Sequence, residues 1–228
     1  MKGIWMPVAF AALMGAGRDL FAGGPGTPIG PTSRVWITGA STIRRFTCEA
    51  RQLDGTLSLH GIATRGRVLS GHNVTSEPSL AVAVEQLECG DTAMNRDLRK
   101  TMRSAAHPVI TFHLATYSVD LTGAAPIARI AGEVTIAGVI RPVVITAAVA
   151  ADSSGVLRVR GTHVLRMTDF GLEPPRRFGG LLRVRDRITV HFDIAPGTDW
   201  GAADDHRCPL AIPTVTLPNP GALHAVHD

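Results

Sequence analysis

The chain has 228 residues, room for one domain of ordinary size plus terminal extensions. Hydrophobic residues make up 45% and aromatics only 5%, so the core is built from Val, Ile, Leu and Ala and reads as sheet-rich. The net charge of +4 comes almost wholly from arginine, with Lys2 and Lys100 the two lysines. Such an excess suits phosphate-bearing partners, whose oxygens match the guanidinium fork, or reflects a compositional habit of the genome.

The opening segment, MKGIWMPVAFAALMGAG, has a positive start at Lys2 and an apolar run from Ile4 to Gly17. That length suits the apolar region of a secretory signal and is too short to span a bilayer. Residues 1–24 are therefore expected as a signal peptide, and the protein as periplasmic or secreted. Residues 25–32 are Gly/Pro-rich and expected as a linker. The domain is expected over 33–196. Residues 197–228, rich in Pro, Gly and Asp without a period, are expected as a flexible C-terminal tail.

Within the domain the pattern is mostly period two. RVWITG, RRFTCEA and GTLSLHG read as the first strands, and SLAVAVEQL then sets Leu80, Val82 and Val84 on one face. DTAMNRDLRKTMRSA breaks the rhythm. It spaces Met94, Leu98 and Met102 four apart behind Asp91, a good N-cap, and predicts one helix. Strands resume with VITFHL, where Ile110, Phe112 and Leu114 alternate with Thr111 and His113. IAGEVTIAG offers Ile130, Val134 and Ile136, and PVVITAAVA offers Val143, Ile145, Ala147 and Val149. GVLRVRGTHVLRM sets Leu157 and Val159 against Arg158 and Arg160. RITVHFDI closes the series with Ile188, Val190, Phe192 and Ile194 on one face.

Many antiparallel strands with a single helix imply a barrel or a sandwich. The inward set is almost entirely aliphatic and includes small residues such as Gly132 and Ala147. In a wide barrel this leaves an elongated apolar volume suited to a chain-like lipid; in a narrow one the core is filled.

The chemical motifs are thin. Asp169-Phe170-Gly171 spells the magnesium-binding tripeptide of protein kinases, but the Gly-rich loop, strand lysine and H-R-D loop that it requires are missing. It reads as a turn, followed by Pro174-Pro175 and Gly179-Gly180. The nine histidines are scattered without H-x-H or H-x-x-x-H pairs, so no metal is expected. No G-x-S-x-G elbow is present. Arg176, Arg177, Arg183, Arg185 and Arg187 cluster without aromatic platforms, which argues against nucleic acid. They form either a basic rim for an anionic headgroup or membrane surface, or a solvated face. Cys48 and Cys89 both lie in the patterned region and are natural disulfide partners in an exported chain; the alternative is two unrelated buried thiols.

Several segments together resemble one family. GEVTIAGVIRPVVITAAV is similar to the G-x-L-T-I-x-G-x-x-x-P-V-x-L segment of the YceI-like, polyisoprenoid-binding proteins. LRKTMRSAAHPVITFHL resembles their short helix before Y-P-x-I-x-F, with His107 where tyrosine is usual, and LRMTDFGLEPP resembles their R-x-D-F-G-I turn. STIRRFTCEA with LECGDTAMNRDL resembles a variant group carrying a cysteine pair that typical members lack. The resemblance spans about residues 33 to 194. It implies an all-β fold, an antiparallel lipocalin-like β-barrel of about eight strands with one short α-helix, exported and holding an isoprenoid or other long-chain amphiphile. It carries over no catalytic residue and no cofactor.

The expected wall of such a cavity is Val82, Val84, Ile110, Phe112, Leu114, Val134, Ile136, Ile145, Val149, Leu165, Val190 and Phe192, with Phe170 plugging or gating the mouth beside Arg176 and Arg177. The expected partner is a long-chain lipid, with peripheral membrane contact. Two other readings stand beside it, a structural barrel with a filled core that binds a protein, and a hydrolase or isomerase acting on a lipid.

Overall fold

The computed structural model describes residues 27–57, 59–65, 68–73, 78–153 and 156–195. The expected signal peptide and tail lie outside the described residues. Part of the expected linker is docked onto the domain. Thr27–Pro28 pairs with Thr56–Leu57, and the Gly30 amide donates to the Ala195 carbonyl at 2.8 Å.

One mixed-length antiparallel sheet dominates. Its strands are β1 (Arg34–Ala40), β2 (Arg45–Ala50), β3 (Leu59–Arg65), β4 (Val68–Asn73), β5 (Leu80–Ala83) and β6 (Leu87–Glu88). Helix α1 (Thr92–Met102) intervenes before β7 (Val109–Asp120), β8 (Ile127–Ile136), β9 (Val139–Ala151), β10 (Leu157–Arg166) and β11 (Arg187–Ile194). The order is β3-β4-β7-β8-β9-β10-β11-β1-β2-β6, with β5 beside β7.

The expectation of a closed barrel of about eight strands is therefore corrected. The sheet has eleven strands among the described residues, and its ladder does not close. The reason lies at the outer edge of β7, which two strands share. β5 pairs with Val109–Phe112 and β4 with Thr116–Asp120. At the break, the buried Ser79 hydroxyl accepts the Leu114 amide at 3.1 Å, so that donor is not stranded. From β5 the chain makes one 3-10 turn, Val84–Gln86, and only then reaches β6 against β2. The wall is thus completed by a chain segment. The Val84 amide donates to Pro108 and the Arg51 amide to Gln86, at 2.8 and 3.0 Å, holding that segment at both edges.

The two cysteines sit where this seam needs a fastener. Register pairs Glu49 with Glu88 and Ala50 with Leu87, so the next rung sets Cys48 against Cys89. They form a disulfide, with Cys48 fully buried.

The helix begins as its sequence predicts. The Asp91 side chain accepts the Met94 amide at 2.9 Å, and that bond, the largest cause, holds its carboxyl below the usual range. It ends at Arg103, whose left-handed backbone (φ 53°) returns an amide to Arg99 and Lys100. The Arg103 guanidinium then donates to the Gly171 carbonyl at 2.7 Å, tying the helix to the turn after β10.

That turn is the kinase-like tripeptide. Asp186 accepts from the Thr168 amide and hydroxyl, both at 2.9 Å, and these bonds lower its pKa, the amide contributing most. Gly171 takes a left-handed conformation (φ 65°) and lets Leu172 bond back to Met167. Met167, Phe170 and Leu172 fold inward against Ile136, Val143 and Leu165, where the β9–β10 ladder has stopped. A second cluster gathers Val35, Ala50, Val82 and Leu87. A third, Ala128, Ala147 and Val149 with Val119, Leu157 and Val159, fills the far end of the sheet.

Candidate ligand cavity

Between the first two clusters the sheet wraps a cavity of about 420 Å³, within the range typical of small-molecule sites. The inward residues of β1, β5, β7, β8, β10 and β11 form its wall, and α1 covers one side with Met94, Leu98 and Met102. Polar groups concentrate at one end. Arg44 faces Asp91 at 3.6 Å, and Arg177 grips Asp97 of the helix with two bonds of 2.6 and 2.8 Å. The Asp97 bonds are the main cause that raises the Arg177 pKa. The Arg44 and Asp91 side chains are 62% and 44% exposed, so the cavity meets solvent here. Elsewhere the lining is nearly all hydrocarbon. Such a volume desolvates an apolar chain and leaves a polar end at the mouth.

Eleven of the thirteen expected wall residues line the cavity: Val82, Ile110, Phe112, Leu114, Val134, Ile136, Ile145, Leu165, Phe170, Val190 and Phe192. Two do not. Val84 is buried in the 3-10 turn, where period-two parity no longer applies. Val149 has the correct parity but belongs to the cluster that fills the far end. Phe170 is 2% exposed and packed into the first core cluster as well as lining the cavity. That position sets it inside the wall and away from the exposed surface.

The expected wall did not include Ile37, Phe46, Ile188 or the helix methionines, although all line the cavity. The signal was available in the four-residue spacing of Met94, Leu98 and Met102. What was not visible is how two phenylalanines leave the lumen open. The Phe192 ring lies over Gly161 on the paired strand, where an added Cβ would approach it to 2.5 Å. Phe112 lies likewise against Gly132, whose Cβ would also meet the His113 carbonyl. Each glycine lets a ring lie flat on the wall instead of crossing the cavity.

His163, on β10 opposite Val190, also lines the cavity. Burial pushes its pKa below the ordinary 6.5, so the imidazole is neutral at neutral pH. Below pH 6.5 the unfolded chain binds a proton that the folded chain resists, so this contribution is full above 6.5 and is lost as pH falls towards the folded value. Melting curves from pH 7.5 to 5 should therefore fall less steeply for His163→Leu than for the parent. Parallel slopes would show that the site does not titrate this way.

Among the described residues, no three His, Cys, Asp or Glu side chains converge to hold a metal. His191 lies outside, stacked on Trp36 with ring centroids 5.2 Å apart, and bonds Thr38 at 2.9 Å.

The domain matches the family model for a YceI-like domain over residues 49–195. No curated protein matches the chain. Among solved structures, BcnA of Burkholderia cenocepacia superposes with a TM-score of 0.52 at 13% identity, covering 72% of this chain and 95% of that one. A polyisoprenoid binding domain from Saccharophagus degradans, implicated in plant cell wall breakdown, superposes at 0.51 and 14% identity, covering 76% and 99%. At these identities the likeness is one of fold.

Proposed function

This chain belongs to the YceI-like family, and from that premise we propose that it is an exported lipid-binding protein, holding a polyisoprenoid or similar long-chain amphiphile for carriage or storage. The observation that carries the reading is a cavity with hydrocarbon walls and a polar, solvent-open end. Burying a methylene contributes roughly 0.8 kcal/mol, so a dozen give about 10 kcal/mol gross, from which ordering of chain and ligand subtracts a good part. Affinity then comes from wall shape and needs few polar groups, in keeping with a sequence that carries no catalytic constellation. The polyisoprenoid binding ascribed to the Saccharophagus degradans domain, which shares the fold, supports the ligand class. The open volume weighs against a filled structural core.

Native mass spectrometry with lipid extraction, on protein purified from its own host, tests the reading. A long-chain lipid near one per chain is the expected result. Repeatedly empty spectra, together with no uptake of a fluorescent prenyl probe, would favour the structural alternative.

A further inference from the structure

We propose that the cavity mouth is a docking surface for an anionic lipid bilayer. The proposal rests on the lipid-holding reading above and adds where the lipid is exchanged. Two turns project at this end, the β1–β2 turn and the turn of Phe178–Gly180. They are joined: the Thr42 amide donates to the Arg183 carbonyl at 3.0 Å, and the Thr42 hydroxyl to the Leu181 carbonyl at 2.8 Å. At their tips stand Ile43, Phe178 and Leu181, which are 75%, 74% and 80% exposed. They are the three most exposed large hydrophobic side chains among the described residues.

Phe178 is displayed at some conformational cost. Its backbone is left-handed (φ 50°), a region that a phenylalanine rarely occupies, and Gly179 and Gly180 continue the turn at positive φ. Folding alone has no use for a strained aromatic held out in water. An interface that buries it does.

The charge around these tips selects the occupant. Arg44, Arg45, Arg176, Arg183 and Arg185 are all exposed around them, and neither 41–47 nor 175–185 contains a carboxylate. Arg177, the remaining cation of the loop, is already bound to Asp97, and Arg44 faces Asp91 at 3.6 Å while staying largely exposed. Apolar tips ringed by arginine match the interfacial zone of an anionic membrane, where rings and aliphatic chains enter the acyl boundary and guanidinium groups meet headgroup phosphates. Arg44, Leu182 and Val184 belong to the cavity lining as well, so the surface adjoins the mouth. A lipid drawn from a bilayer seated here enters the lumen without its chain crossing water.

Flotation of the protein as exported by and purified from its own host, with phosphatidylcholine vesicles with and without phosphatidylglycerol, tests this. The parent should float with the anionic vesicles, release in high salt and ignore the neutral ones. Ile43→Ser/Phe178→Ser/Leu181→Ser should bind them about tenfold more weakly. Arg176→Gln/Arg183→Gln/Arg185→Gln should lose the anionic preference. None of these six side chains lines the cavity, so uptake of a dansyl-prenyl probe added from ethanol should persist in both variants. A parent that takes up the probe yet floats with neither vesicle, or a triple-serine variant that floats as well as the parent, overturns the docking surface while leaving the carrier reading intact. Vesicle binding by the parent without probe uptake would sink the carrier reading and keep the surface.

Discussion

Removing the Cys48–Cys89 bridge should lower the melting temperature by about 10 °C. The bridge closes a loop of 41 residues in sequence separation, for which the chain-entropy model gives about 4 kcal/mol. In a domain of this size each kcal/mol corresponds to roughly 2–4 °C. The position makes a smaller effect hard to reconcile with the fold. β6 is two residues long and meets β2 through two register pairs, with the Arg51–Gln86 bond beside them, so the seam has few backbone bonds. Asp91 caps α1 immediately afterwards, and both cysteines line the cavity. Loss of the bridge should therefore loosen the wall and the helix together. Thermal melts of Cys48→Ala/Cys89→Ala, and of the parent in reductant, are the measurement. Amide exchange at Cys89, whose N–H donates to the Asn95 side chain at 2.8 Å, locates the opening. Unchanged melting in both samples would show that the seam is held by packing.

Val190→Trp should block the cavity and leave the domain folded. Val190 lies at the middle of β11, flanked across the ladders by His163 on β10 and Ile37 on β1, and all three line the lumen. An aromatic side chain covers roughly 150–250 Å², enough to cross the space that the valine leaves open. Displacing three or four methylenes of a bound chain forfeits roughly 3 kcal/mol, about a hundredfold in Kd. Overpacking a tight core costs about 1–3 kcal/mol, and the existing void reduces that here. Gly161→Ala should act in the same direction with smaller effect, because its Cβ would push the Phe192 ring off the wall. Titration with a fluorescent prenyl probe, with melting curves as the check on folding, reads both variants. Unaltered uptake by a folded Val190→Trp would place the ligand elsewhere.

Much of the wall was legible because a strand exposes alternate residues to one face, and that parity survives wherever the strand is long and paired on both sides. Ile110, Phe112, Val134, Ile145, Val190 and Phe192 all follow it. The helix was legible from Asp91 and a four-residue spacing, both local signals. The failures share a cause. β4, VLSGHN, shows no clear alternation, and its place is set by the free half of β7's edge. Val84 keeps the parity of β5 after the strand has become a turn. Val149 faces inward at a level where neighbouring side chains fill the space.

Read without coordinates, the chain specified a sheet-rich domain with one capped helix and the inward faces of most wall residues, and left Cys48 and Cys89 open between a bridge and two unrelated thiols. These follow from spacing along the chain. Only the tertiary structure decided that the ladder stays open, that segment 80–88 bridges its edges, and that glycines opposite two phenylalanines keep the lumen clear. It also turned Asp169-Phe170-Gly171 into a core turn fastened by Asp186. Volume and closure are sums over residues distant in sequence, and no local pattern encodes a sum.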